Sequence, residues 1–385
     1  MMNRKISADL LFYKGKWKTG LAIEVSDQGK IIQISDDLTD CEFFAGALVP
    51  GWINAHCHLE LSNLEGRIPP HTGMAGFIQK LATVRPKGTN GPTAIHSQLQ
   101  IMYNRGIRGI GDISNDTSTF ALKQKGAHPM RFFTFVELFG LDPNKAQYLV
   151  ESGIKMSTAL PSGEASVSWH APYSMSAELI EKIGALAMLN NQPLNLHLLE
   201  SSEEVQLFSS GTGPLADFLK HIGITPLPDR FGKGDVLDFL LPLLPKEVPI
   251  LLVHVTELQP AQLERLRNSG LNISYCLCPG ANLYIHNKLP PADLFDPTRD
   301  RVMLGTDSLA GNWHLDILEE IKLLSKHFPT LSTETLIYWA TQAGADFWGW
   351  QDLGEFEVGK QPGILGLTGL QNGRINSDTQ ITVLA

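Results

Sequence analysis

His56-Cys57-His58 sets two imidazoles two residues apart, and on an extended strand that spacing turns both to one face and Cys57 to the other. Imidazole nitrogen suits zinc or ferrous iron, whereas magnesium and calcium take oxygen. Two hydrogen-bonded histidines without metal would show the same pattern, so the pair gains weight only from its company. His197-Leu198-Leu199-Glu200 supplies a third imidazole and a carboxylate just beyond it. The next residues, Ser201-Ser202-Glu203-Glu204, read as a helix start, with Glu203 and Glu204 serving the cap and the helix dipole. That leaves Glu200 as the candidate for acid–base chemistry. Asp307 follows the apolar run before Gly305 and offers a further carboxylate, although an ordinary N-cap has the same appearance.

These residues need elements to converge on one place. Short apolar runs at 47–58, 107–113, 131–138, 165–170, 194–198, 250–255, 271–276 and 301–307 alternate with helix-compatible stretches, the rhythm of a parallel sheet with crossover helices. About eight such strands predict an α/β fold, a (β/α)8 TIM-like barrel. Helices are expected at 176–190, with Leu179, Ile183, Leu186 and Met188 on a buried face, and at 260–268, stopped by Gly270. Segment 224–249, rich in Pro and Gly, reads as an insertion over the barrel mouth. The two chain ends show short strand patterns around the Asp27-Gln28-Gly29 turn and again after Gly354. Residues 1–50 and 354–385 are therefore expected to form one small antiparallel β domain, a β-sandwich, beside a barrel of 51–353. On this frame His56 and His58 close the first strand, His170 the fourth, His197 and Glu200 the fifth, His254 the sixth and Asp307 the eighth. Barrel active sites form at that end of the strands, and His56, His58, His197 and Asp307 together make a ligand set that leaves a position for water.

Composition narrows the partners. The chain has 385 residues, 43% hydrophobic and 18% charged, ordinary for a globular enzyme. A formal charge of -9 leaves no basic stripe for nucleic acid. The four cysteines show no disulfide framework, which suits a reducing, cytoplasmic compartment. The start of the chain has no apolar signal core, and no run reaches the roughly 18 apolar residues a membrane span needs. The expected partner is a small heterocyclic molecule, with a homodimer as the expected assembly, since twofold homo-oligomers are commonest.

The sequence resembles the amidohydrolase superfamily over nearly its whole length. Leu48 to His58 is similar to that family's first-strand motif, and Gly354 to Lys360 to its return into the small β domain. Cys278-Pro279-Gly280-Ala281-Asn282-Leu283-Tyr284 resembles the segment after strand seven in the deaminases of guanine, adenosine derivatives and aminofutalosine, and in the triazine chlorohydrolases. The resemblance implies one divalent metal ion, zinc or iron, on His56, His58, His197 and Asp307, with Glu200 and His254 as the catalytic pair beside it. It also implies a deaminase of a purine-like ring that releases ammonia. In that reaction Asp307 takes a proton from water, His254 orients the nucleophile and Glu200 protonates a ring nitrogen. A guanine or cytosine deaminase, a chlorohydrolase and, more remotely, a non-catalytic scaffold are the competing readings. Members with two metals carry a modified lysine at the end of strand four, where this chain has Trp169-His170, so one metal is expected. Gln361-Pro362-Gly363-Ile364 departs from the family's acidic pattern there. His170, in a segment similar to a substrate-contacting one, is the leading recognition residue. Glu137 and Phe77 are further candidates for the pocket, by hydrogen bonding and stacking respectively. Met130, Phe132, Phe133 and Phe135 read as barrel core, and Arg85 and Lys87 as a solvated loop.

Overall fold

A computed structural model describes residues 3–85 and 91–385; Lys87 lies outside them. Eight strands with the expected rhythm are present: β1 (Trp52–Cys57), β2 (Ile107–Ser114), β3 (Arg131–Leu138), β4 (Ala165–Trp169), β5 (Leu194–Leu198), β6 (Pro249–His254), β7 (Asn272–Leu277) and β8 (Val302–Leu304). They form two four-stranded sheets, β1 to β4 and β5 to β8, each parallel throughout. Backbone bonds join the sheets at both edges. His197 N–H donates to His170 O at 2.8 Å, and the N–H groups of Thr306 and Asp307 reach His56 O at 2.9 and 3.0 Å. A TIM-like α/β barrel requires such seams.

Nearly every residue of β1 to β8 is buried, which is why these strands read as continuous apolar runs instead of alternating ones. Met130, Phe132, Phe133 and Phe135 are buried as expected. Crossover helices cover the outside. In Ala177–Asn190 the Ser176 hydroxyl caps the first turn by accepting from Leu179 N–H. Its buried face is Leu179, Ile180, Ile183, Gly184 and Ala187, whereas Met188 is 44% exposed. The helical repeat of 3.6 residues carries the stripe from 183 to 187 and turns 188 outward. Helix Pro260–Arg267 ends before Gly270, which adopts φ +74°.

The first long strand is divided. Residues 47–58 read as one run, but Glu42–Pro50 belongs to the small sheet and Trp52–Cys57 to the barrel. Gly51 makes the passage: its N–H donates to Pro362 O at 3.1 Å, and a Cβ there would collide with that carbonyl and with the Arg108 side chain. The small sheet has seven strands drawn from both chain ends, in the order Gln380–Val383, Ile364–Thr368, Glu42–Pro50, Arg4–Tyr13, Ala22–Val25, Ile31–Ser35, with Lys16–Lys18 beside Arg4–Tyr13. The expectation of a wholly antiparallel sheet is corrected. Arg4–Tyr13 and Glu42–Pro50 pair in parallel, because the chain fills one side of Arg4–Tyr13 before crossing to the other. Segment 354–360 contains no strand; Gly359 N–H to Ile31 O and Ile31 N–H to Lys360 O, both 2.9 Å, dock it onto the small sheet.

Segment 224–249 is built into the body of the fold. Helix Val236–Leu240 buries Val236, Leu237 and Leu240, Phe231 packs edge-on against Phe208, and Arg230 donates to Met175 O at 2.7 Å. Among the described residues no helix is long and apolar enough to cross a membrane.

Candidate active site

The strand ends hold the chemistry through an unusual backbone. Leu199, His254, Val255 and Asp307 have φ of +50°, +70°, +44° and +56°, a region L-residues avoid and that marks functional turns when the surroundings enforce it. At these points the chain turns abruptly out of β5, β6 and the end of β8, carrying Glu200, His254 and Asp307 inward.

His56, His58 and His197 are buried, and one ring nitrogen from each lies within 4.8 Å of the others. Asp307 Oδ1 is 3.4 Å from His58 Nε2 and 3.9 Å from His56 Nε2. Partners on the far side of two rings set their tautomers. His56 Nδ1 faces Asn195 Oδ1 at 3.3 Å, and His197 Nδ1 faces His170 O at 3.0 Å. Both partners are acceptors, so each Nδ1 carries the hydrogen and each Nε2 presents a lone pair. Among the described residues His56 Nε2 has no hydrogen-bond partner although buried. Burial, then the neighbouring imidazoles, hold His56 and His58 well below the ordinary histidine pKa, and burial pushes His197 down to about 4. Neutral imidazoles with converging lone pairs beside a carboxylate fit a divalent ion that accepts nitrogen and oxygen.

Glu200 is anchored by its backbone, its N–H donating to Glu204 Oε2 at 2.9 Å, while Ser201 Oγ accepts from Glu204 N–H at 3.2 Å. Its own carboxyl faces His254 Nε2 at 3.6 Å. Burial pushes Glu200 up to about 8, while burial and the neighbouring imidazoles hold His254 well below its usual range, which favours a protonated carboxyl beside an uncharged imidazole near neutral pH. Burial, then the charge of Glu200, raises Asp307 as well; a bound cation would reverse that direction.

Of the three recognition candidates, Glu137 and His170 lie against His197, whereas Phe77 packs in a separate apolar cluster. Glu137 Oε1 is 3.5 Å from His197 Nδ1, its Oε2 accepts from Asn115 Nδ2 at 3.0 Å, and burial lifts it to about 8. His170 is half-buried, with Nδ1 2.7 Å from Ser174 Oγ and its ring edge-on to Phe139 and Tyr173. Phe77 sits on helix Gly73–Val84 in an apolar cluster with Leu61, Leu64, Ile68, Tyr284 and Ile285.

Two expectations are corrected. Arg85 is drawn inward from the loop, Nη2 donating to Glu60 Oε1 at 2.6 Å and to Asp116 Oδ2 at 3.4 Å. Glu60 is fully buried, and a buried carboxylate recruits a cation. Glu203 does not serve its own helix alone: its two oxygens accept from Met74 N–H at 3.0 Å and Ala75 N–H at 2.9 Å. It therefore caps helix Gly73–Val84 from across the barrel mouth.

Several site residues were not picked out from sequence. Asn195 lies two residues before His197, and period-two alternation on β5 was the available signal. Asn282 lies in the 278–284 motif, whose spacing assigns it no role, and its Nδ2 donates to His254 Nδ1 at 3.3 Å. His286 offered no sequence signal, yet its Nε2 lies 3.7 Å from Glu200 Oε1. The buried pair Asp112–Lys123 braces the loop after His58, because Asp112 Oδ1 also accepts Leu59 N–H at 2.9 Å.

Known proteins share this frame. The Helicobacter pylori aminofutalosine deaminase structure with methylthio-coformycin superposes with a TM-score of 0.81 at 22% identity, covering 96% of this chain and 93% of that one. An atrazine chlorohydrolase from Arthrobacter aurescens, complexed with zinc, reaches a TM-score of 0.71 at 17% identity, over 94% of this chain and 86% of that one. In sequence, an adenosine deaminase of Helicobacter pylori is 26% identical over 82% of this chain and 80% of its own length. A 5-methylthioadenosine/S-adenosylhomocysteine deaminase of Thermodesulfovibrio yellowstonii is 28% identical over 83% and 71%. The model of the amidohydrolase family matches residues 47–379, most of the chain, and with the strand-end histidines and aspartate in place the protein belongs to that family of hydrolases.

Proposed function

We propose that this chain is a metal-dependent aminohydrolase that deaminates a purine-like heterocycle, an adenosine derivative, and releases ammonia. The convergence of three neutral imidazoles and Asp307 beside a buried Glu200 carries the reading. Relatives that deaminate adenosine, methylthioadenosine or S-adenosylhomocysteine support the substrate class. His56, His58, His197 and Asp307 would hold one ion, zinc or ferrous iron, on a closed barrel. When bound, such an ion supplies Lewis acidity and makes water acidic enough to act as a nucleophile near neutral pH.

The chain's own residues do the rest. Asp307 accepts a proton from the attacking water. His254, held through Nδ1 by Asn282, presents Nε2 to orient that water. Glu200, protonated because it is buried, gives its proton to the ring nitrogen next to the carbon under attack, where charge would otherwise build. The C–O bond forms, the C–N bond to the amino group breaks, and a proton returned to the departing nitrogen completes ammonia. Glu137 and His170 line the side toward β3 and β4 and bind polar groups of the substrate, with Phe77 on the apolar side. The test is ammonia release from adenosine derivatives by the zinc-loaded protein and its Glu200→Gln variant. We expect the variant to keep its metal and lose about 100-fold or more in kcat; near-normal turnover would overturn the assignment.

A further inference from the structure

Glu200 has two imidazoles against one oxygen, and the mechanism above uses one of them. His254 Nε2 and His286 Nε2 lie 3.6 and 3.7 Å from Glu200 Oε1. Both nitrogens are buried and, among the described residues, without a hydrogen-bond partner, and the His286 side chain is 9% exposed. A buried ring nitrogen left unpaired is costly, so an unpaired one aimed at a reacting carboxyl calls for a use.

The backbone under His286 is held firmly. It is the last residue of helix Pro279–His286, which ends at Asn287 in the left-handed region, φ +53°. Gly280 N–H donates to Glu320 Oε2 at 2.6 Å, and Tyr284 O accepts His71 N–H at 2.6 Å. Ile285 packs into the cluster containing Leu61 and Phe77. The ring is thus presented from a fixed element on β7's side of the mouth. Glu200, by contrast, is fixed only through its main chain, and no hydrogen bond orients its carboxyl group among the described contacts. If His254 Nε2 orients the attacking water, it is not free to orient Glu200 too. His286 is the group in place for that.

We propose that His286 is the positioning residue for Glu200: its Nε2–H donates to Oε1 and turns the carboxyl so that Oε2 carries its proton toward the ring nitrogen. This rests on the deaminase reading above. In the step itself the Oε2–H bond breaks, the N–H bond on the ring forms, and Glu200 is left as a carboxylate. The bond from His286 then becomes a hydrogen bond to a charged acceptor and strengthens as the barrier is climbed. An interaction that strengthens in this way appears in kcat and leaves KM little changed.

The experiment compares wild type, His286→Phe and His286→Gln as full-length, zinc-loaded proteins, on the adenosine derivative wild type deaminates fastest. Phenylalanine keeps a ring in the packing but removes the donor; glutamine places an N–H near the position of Nε2. We expect His286→Phe to lose about tenfold to hundredfold in kcat, with KM within about twofold, and His286→Gln to recover much of that loss. In a Glu200→Gln background the phenylalanine change should cost little more, because the group it positions no longer gives a proton. A His286→Phe enzyme equal to wild type, a loss confined to KM, or glutamine no better than phenylalanine would each overturn the assignment. A wild type without activity, or a fully active Glu200→Gln, would instead refute the deaminase reading. The structural claim is then judged by a crystal structure of the zinc-loaded protein: Nε2 within about 3.2 Å of Oε1 supports it, and a carboxyl turned away from His286 rejects it.

Discussion

Asn195 provides the sharpest test of how the metal ligands are set. It is fully buried, and its Oδ1 stands 3.3 Å from His56 Nδ1. Replacing it by leucine keeps the volume and removes the acceptor. His56 then has two choices. It can keep the hydrogen on Nδ1, unpaired in the interior, at a cost of about 1–3 kcal/mol. Alternatively, it can move the hydrogen to Nε2 and withdraw the lone pair that points at the ion. Either way, zinc affinity should fall by about 10–100-fold, equivalent to about 1.4–2.7 kcal/mol. Competition with a chromophoric chelator measures it directly. Asn195→Asp, which keeps an acceptor at the same position, should bind zinc close to wild type. Melting of the metal-free proteins separates this from a packing defect, since Asn195 Nδ2 has no hydrogen-bond partner among the described residues. If Asn195→Leu binds zinc as tightly as wild type, the tautomer argument fails.

Two further outcomes follow from contacts away from the ligands. Lys123→Met leaves Asp112 as a buried carboxylate without its cation, and denaturant titration should show a loss of about 3–5 kcal/mol; adding Asp112→Asn should return part of it, and a neutral single variant would count against the buried pair. Glu203→Ala removes the carboxylate that caps helix Gly73–Val84, a loss of about 0.5–2 kcal/mol. Hydrogen exchange should quicken over residues 73–84 and stay unchanged over 177–190, whereas equal rates at 73–84 would show that the cap does not hold that helix.

What could be read from the sequence was what repeats or clusters. Six of the eight apolar runs match their strands to within a residue at each end, because strands buried on both faces leave little ambiguity, whereas 47–58 divides at Gly51 and 301–307 holds the short strand Val302–Leu304. The strand-end histidines and Asp307 stood out because ionisable residues following apolar runs are uncommon. Interactions between segments far apart in the chain were less legible. Glu203 had every mark of a local cap, and nothing near it in sequence reveals that residues 74 and 75 bring their N–H groups to it. Arg85 looked like a surface residue because the demand for its charge comes from Glu60, buried 25 positions earlier. His286 ends a helix whose apolar pattern says nothing about the pocket, so its place beside Glu200 emerges only from the fold. Gly51 broke a run that hydrophobicity alone reads as continuous, since the limit there is space.

The position of Glu42–Pro50 in the small sheet bears on how the protein is made. One side of that strand pairs early, with Arg4–Tyr13, but the other waits for Ile364–Thr368. The whole barrel sequence lies between those two strands. During synthesis at about 5–20 residues per second, the nascent chain therefore presents an open strand edge for roughly 15–60 seconds, and such edges invite pairing with other chains. The barrel strands that continue directly from Gly51 would meanwhile be free to assemble. Yield in the cell should then depend on how well that edge is shielded until the last strands emerge.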